Sequence, residues 1–170
     1  VTFRCDAGGN FTACTSWQGY PIFFKSDRIC RLAGGDSDSY SLLEMTVPGI
    51  PASLSRTLCT IGGDLYYRSA DGVYRYGGQH PVRVGTLPED DISGGVGGTD
   101  GRSYYLSVPG VGTTRRQYVY DPVSERWYIE TSHIPVASVT HNGLHYSQAS
   151  DGYLWVSTSD GRSTGCSLRE

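Results

Sequence analysis

Four times along this chain, a pair of short runs rich in aromatic and β-branched residues returns at nearly constant spacing. The clearest copy is Leu-Tyr-Tyr-Arg-Ser-Ala-Asp-Gly-Val-Tyr-Arg-Tyr, residues 65–76. Asp71-Gly72 suits the two positive φ angles of a type I′ turn, which predicts a β-hairpin with Ala70 facing Val73. Similar pairs are Ile22–Lys25 with Arg28–Arg31, Ser103–Leu106 with Tyr118–Asp121, and Leu144–Ser147 with Tyr153–Val156. Measured from Ile22, Leu65, Ser103 and Leu144, the unit recurs after 43, 38 and 41 residues.

A period of about 40 residues built from short strands is the sequence sign of a β-propeller blade. Twenty-three Gly, thirteen Tyr and one Met in 170 residues suit an all-β chain with many tight turns, and no window carries the 3.6-residue period of a long helix. The expected fold is therefore all-β, a propeller or propeller fragment of about four antiparallel four-stranded units in one domain. The units are expected at about residues 17–53, 54–93, 94–137 and 138–170, with 1–16 supplying strands of an incomplete preceding blade or the start of the first one. Besides Asp71-Gly72, the turns Asp100-Gly101, Asn142-Gly143 and Asp151-Gly152 punctuate the later units. A chain that begins at Val1 is expected to be a processed product, a cloned segment or a fragment.

A net charge of −3 gives no electrostatic reason to expect a nucleic-acid partner. No run approaches the roughly 18 apolar residues of a membrane span, so no membrane partner is expected. Cys5, Cys14, Cys30, Cys59 and Cys166 are odd in number and contain no Cys-x-x-Cys pair. They are expected to be mostly buried thiols in a reducing compartment, with a Cys5–Cys14 bridge as the conceivable exception.

The run Tyr118 to Trp127, Tyr-x-Tyr-Asp-Pro-x-x-x-x-Trp, resembles the second half of a kelch-type propeller repeat, where a turn begun by Asp-Pro leads to an anchoring Trp. Residues 63–76, with Phe23-Phe24-Lys25 and Arg28-Ile29 upstream and the Pro48-Gly49 crossover between, are similar to bacteriophage virion proteins that carry a β-propeller. The resemblance covers roughly residues 17–157. It implies a structural component of a phage tail or head-to-tail region, assembled in the bacterial cytoplasm and acting through contacts with other virion proteins or copies of itself. Four units are fewer than is usual in such families.

Catalytic chemistry finds little footing. His141 and His145 flank the Asn142-Gly143 turn, so their imidazoles should point to opposite faces rather than share a metal. Ser150-Asp151-Gly152 is close to the Asp-box turn of sialidases but lacks the residue between Asp and Gly, and adjacent Arg115-Arg116 would alternate faces instead of clustering about a carboxylate. Glu89, Asp90 and Asp91 read as a solvated crossover, and Gly94–Gly98 as a connection between neighbouring blades with no following helix to cradle phosphate. The sequon Asn10-Phe11-Thr12 matters only in a secreted eukaryotic chain. No nucleophile motif is present. No catalytic residue, cofactor or metal is expected.

Most tyrosines should lie between blades, with phenol tips reaching the rim. A minority reading makes Tyr76, Tyr105, Trp127 and Trp155 an aromatic surface on which a glycan could stack. The leading expectation is a non-enzymatic assembly module; a lectin-like, carbohydrate-binding propeller is the alternative, with a sialidase-like glycosidase behind it.

Overall fold

A computed structural model describes residues 5, 9–35, 39–87, 93–109, 115–130, 133–149, 151–157 and 163–166. The fold is all-β: sixteen strands in four antiparallel sheets, each an up-and-down meander of four consecutive strands. The first sheet holds β1 (Ala13–Trp17), β2 (Tyr20–Phe24), β3 (Arg28–Ala33) and β4 (Ser41–Thr46). The second holds β5 (Cys59–Ile61), β6 (Asp64–Arg68), β7 (Val73–Tyr76) and β8 (Val82–Gly85). The third holds β9 (Val96–Thr99), β10 (Tyr104–Pro109), β11 (Arg115–Asp121) and β12 (Arg126–Glu130). The fourth holds β13 (Pro135–His141), β14 (Leu144–Ala149), β15 (Leu154–Ser157) and β16 (Ser163–Cys166). Among the described residues no helix is long and apolar enough to cross a membrane.

The sheets stack face to face in chain order, and strand alternation supplies both faces of the second one. Leu65 and Tyr67 on β6 share a core with Trp17, Ile22, Phe24 and Ile29 of the first sheet. Tyr66, between them, points the other way into a core with Tyr104, Leu106, Tyr118 and Tyr120 of the third. A sheet covered on both sides needs apolar residues at successive positions, which is why residues 65–67 read as an unbroken apolar run. First strands meet at the second and third seams, β5 against β9 and β9 against β13.

Two tryptophans clamp the second sheet from opposite sides. Trp17 donates from its indole N–H to Gly63 O at 2.7 Å, and Trp127 donates to Val84 O at 3.0 Å. Each ring lies where a Cβ on the second sheet would stand, over Gly78 for Trp17 and over Gly85 for Trp127. The Trp127 end is fixed by its turn: Asp121 accepts from the Val123 N–H and the Ser124 hydroxyl, and β11 returns as β12.

Two sequence expectations need revision. Residues 13–16 do not belong to a preceding unit, because Ala13–Trp17 pairs with Tyr20–Phe24 as the first strand of the first sheet; residues 1–4 and 6–8 lie outside the described set. The 65–76 hairpin is displaced by one residue. Arg68 pairs with Val73 and the Ser69 N–H donates to Gly72 O, so Ala70-Asp71 forms the two-residue loop and Ala70 does not face Val73. Neither Asp71 nor Gly72 has positive φ. Gly72 serves close approach instead, since a Cβ there would lie 2.7 Å from both Arg83 Nε and Gly85 O on β8. Between the first and second sheets, residues 52–57 form a 3₁₀ helix. Its last residue, Thr57, is fully buried; its hydroxyl donates to Leu54 O and accepts the Arg68 N–H, while its carbonyl accepts the Tyr104 hydroxyl.

The Gly-rich run 94–98 is not merely a connection, for its second half is the buried strand β9. A Cβ at Gly97 would strike the Thr57 backbone, and one at Gly98 the His145 ring and Ser138 hydroxyl. Glycine is therefore what lets β9 pass between the 3₁₀ helix and the fourth sheet.

Candidate interaction surface

The seam between the third and fourth sheets differs in chemistry from the other two. Ser107 donates to Pro135 O at 2.8 Å, Ser138 to Gly97 O at 2.6 Å, and Thr140 to Thr99 O. His133 Nε2 meets the Ser147 hydroxyl at 2.6 Å and stacks on Trp155 at 4.7 Å. His145 stacks on Tyr105 at 4.5 Å and is fully buried. The Thr99 backbone lies close enough to favour His145 protonation weakly, but neither ring nitrogen has a well-formed hydrogen bond among the described residues. Burial is the main influence on both histidines and pushes their pKa values down.

This arrangement separates the four aromatics considered as a glycan platform. Tyr76 is buried between the first and second sheets, 5.4 Å from Trp17. Trp127 sits on the second seam, while Tyr105 and Trp155 stack on histidines in the third. Alternating side chains in stacked sheets send them into three layers, so they do not form one surface. His141 is exposed where His145 is buried, and the two point to opposite faces of the fourth sheet.

The turn residues have separate duties. Asn142 and Gly143 have φ of 50° and 74°, matching a type I′ turn. Asp100 Oδ1 accepts from the N–H groups of Arg102 and Ser103, and Gly101 has φ of 90°. Asp151 Oδ1 accepts the Tyr153 N–H, beside Gly152 at φ 86°. Glu89, Asp90, Asp91 and Ser150 lie outside the described residues.

Among the described residues, the face of the fourth sheet turned away from the third carries an apolar row, with exposed His141 and Gln148 beside it. Ser138 and Thr140 point at the third sheet, so Val139 points away from it, and at 62% exposure it heads the cross-strand row Val139–Tyr146–Val156. Leu144 and Leu154 extend the row on either side, both half-buried. The corresponding face of the first sheet is partly covered by the residues before β1. Phe11 packs on Phe23 with ring centroids 5.6 Å apart, and Lys25 Nζ lies 4.9 Å over the Phe11 ring. Lys25 also donates to Cys5 O at 2.9 Å, and Cys5 Sγ lies 3.7 Å from Cys30 Sγ.

Among the described residues, Cys5, Cys14, Cys30 and Cys59 are in the thiol form rather than joined by disulfides. Burial raises the thiol pKa of Cys30 and Cys59 to about 12. Cys14 is exposed, and the contact of Cys5 is with Cys30 rather than Cys14. No local spacing signals that contact, because 25 residues separate the partners.

A hollow of about 980 Å³ wraps the turn end of the third sheet. Tyr66, Tyr105 and the half-exposed Tyr128 line it, with Asp64 ion-paired to Arg75 at 3.7 Å and Asp100 accepting the Tyr105 hydroxyl at 3.2 Å. Its polar groups are largely engaged in holding turns and seams. No protein-family model matches the chain, and no curated protein is similar to it in sequence.

Proposed function

We propose that this chain is a propeller-type assembly module that works by surface complementarity and performs no catalysis. Supporting the propeller are four consecutive four-stranded meanders, with the first strands of the second, third and fourth sheets in contact, β5 with β9 and β9 with β13. The virion of a phage is the proposed setting, on the resemblance carried by residues 17–157.

The observation that carries the assembly role is the free face of the fourth sheet. Each of the other seams buries one sheet face on the next, whereas Val139, Tyr146 and Val156 meet no fifth sheet among the described residues. The first sheet's outer face already carries Cys5 and Phe11, so the partner favoured here is the fourth sheet of a second copy, in a self-complementary two-fold contact. Light scattering coupled to size-exclusion chromatography should give twice 18.5 kDa at micromolar concentration, and Val139→Glu should halve it. A wild-type monomer at every concentration would remove this role.

A glycan-binding module is the second reading, and the hollow beside Tyr128 is what favours it. A glycan array on the wild type and Tyr128→Ala tests it: saturable binding lost in the variant would place the function there instead.

A further inference from the structure

Cys5, Cys30 and Glu44 bring two sulfurs and a carboxylate oxygen within 4.8 Å of one another. They come from three separate parts of the chain. Cys30 and Glu44 are cross-strand partners on β3 and β4, so their side chains rise from the same face of the first sheet. Cys5 lies against that face, where the Lys25 ammonium donates to its carbonyl.

The spacing suits one ion class. Two thiolates about 2.3 Å from a tetrahedral Zn²⁺ stand about 3.8 Å apart, and the Cys5–Cys30 separation is 3.7 Å. A thiolate pair with one carboxylate is a borderline-soft donor set, which favours zinc over calcium or magnesium. The surrounding charges tolerate the ion. Arg28 bridges Asp27 and Glu44, each at 3.1 Å, and Lys25 sits beside Cys5. With both thiols ionised and a divalent cation bound, these groups leave the site close to neutral, so no uncompensated charge is created against the sheet.

We infer that Cys5, Cys30 and Glu44 form a zinc-class metal site that staples the residues before β1 to the outer face of the first sheet. The fourth coordination position is left to water. Binding releases the two thiol protons and forms two metal–sulfur bonds and one metal–oxygen bond, with no change of oxidation state. The inference does not depend on the assembly reading.

The test uses the full chain, reduced and stripped with a chelator, then titrated with Co²⁺ as a spectroscopic stand-in and with Zn²⁺ in competition. One equivalent of Co²⁺ should produce thiolate-to-metal charge-transfer absorption with tetrahedral ligand-field bands, bleached by Zn²⁺, and Zn²⁺ should raise the melting temperature. Cys5→Ser should abolish the bands and the melting shift. Glu44→Gln should weaken binding at least tenfold, while Cys14→Ser and Cys59→Ser should leave it intact. Cys30 is buried, so Cys30→Ser can fail for lack of folding; the more accessible Cys5 and Glu44 variants decide the matter, with folding checked by circular dichroism. Absence of saturable uptake, uptake undiminished in Cys5→Ser, or a chain that takes no metal and forms a Cys5–Cys30 disulfide in air would each overturn the site.

Discussion

Trp127 covers Gly85 so closely that a Cβ at residue 85 would lie 2.6 Å from the indole nitrogen, the same atom that donates to Val84 O. Glycine and tryptophan thus form one joint between the second and third sheets. Gly85→Ala should cost about 1–3 kcal/mol by overpacking, and Trp127→Ala about 3 kcal/mol through lost packing. In the double variant the alanine at 85 finds the space vacated, so the two costs should fall well short of adding. Urea denaturation of the four proteins measures the coupling; additive losses would mean that the ring and the glycine act independently.

The histidine seam should make stability pH-dependent. His133 and His145 have folded pKa values below the ordinary 6.5, chiefly through burial, with Asp100 and Glu130 opposing the shift at His145 and Glu130 and Asp151 opposing it at His133. The unfolded chain therefore takes up protons first, and stability should be full above about pH 6.5 and fall as pH drops through and below it. His145→Phe, which keeps an aromatic ring against Tyr105, should flatten that fall. Chemical denaturation between pH 5 and 8 would show it, and an unchanged slope in the variant would assign the titration elsewhere.

At the alkaline end the tyrosines act in the opposite sense. Burial raises the folded pKa of Tyr67 and Tyr104, and of Tyr74 to about 12 with Asp71 adding to the shift. Unfolded tyrosine ionises near 10, so stability should decline as pH rises above that value. Ultraviolet titration should show these phenols ionising with unfolding rather than before it. Tyr67→Phe, which removes the donor from Pro48 O, should cost about 1 kcal/mol.

A change of opposite sign is available at the first turn. Gln18 has φ of 48° in the two-residue loop joining Trp17 to Tyr20, a conformation strained for any residue with a Cβ. Gln18→Gly should raise stability by up to about 1 kcal/mol. Gly78→Ala, at φ 90° beneath the Trp17 ring, should lower it by more than that gain. Thermal melts of both variants provide the check.

Recurrence was the most legible property of the chain, because a strand buried on both faces must spell out its aromatic residues in order, as Leu65-Tyr66-Tyr67 does. What stayed hidden was set by contacts between units. Gly72 looks like a turn residue, yet β8 is what requires it, and that displaces the hairpin by one position. Ala13–Trp17 resembles any edge strand, and only pairing with Tyr20–Phe24 assigns it to the first sheet. The His133–Trp155 and His145–Tyr105 stacks join residues far apart in sequence, so their rings were visible but not their partners. The same holds for Cys5 and Cys30, which meet although 25 residues separate them.

The unlike seams also imply unlike responses to solvent conditions. Two are filled chiefly by apolar side chains and respond mainly to agents that weaken hydrophobic burial, while the third adds stacked imidazoles that acid can charge. Acid therefore acts on the inner face of the fourth sheet, where His133 and His145 lie, before it acts on the apolar seams. A partner seated on its outer face and protons taken up on its inner one would then act on the same four strands.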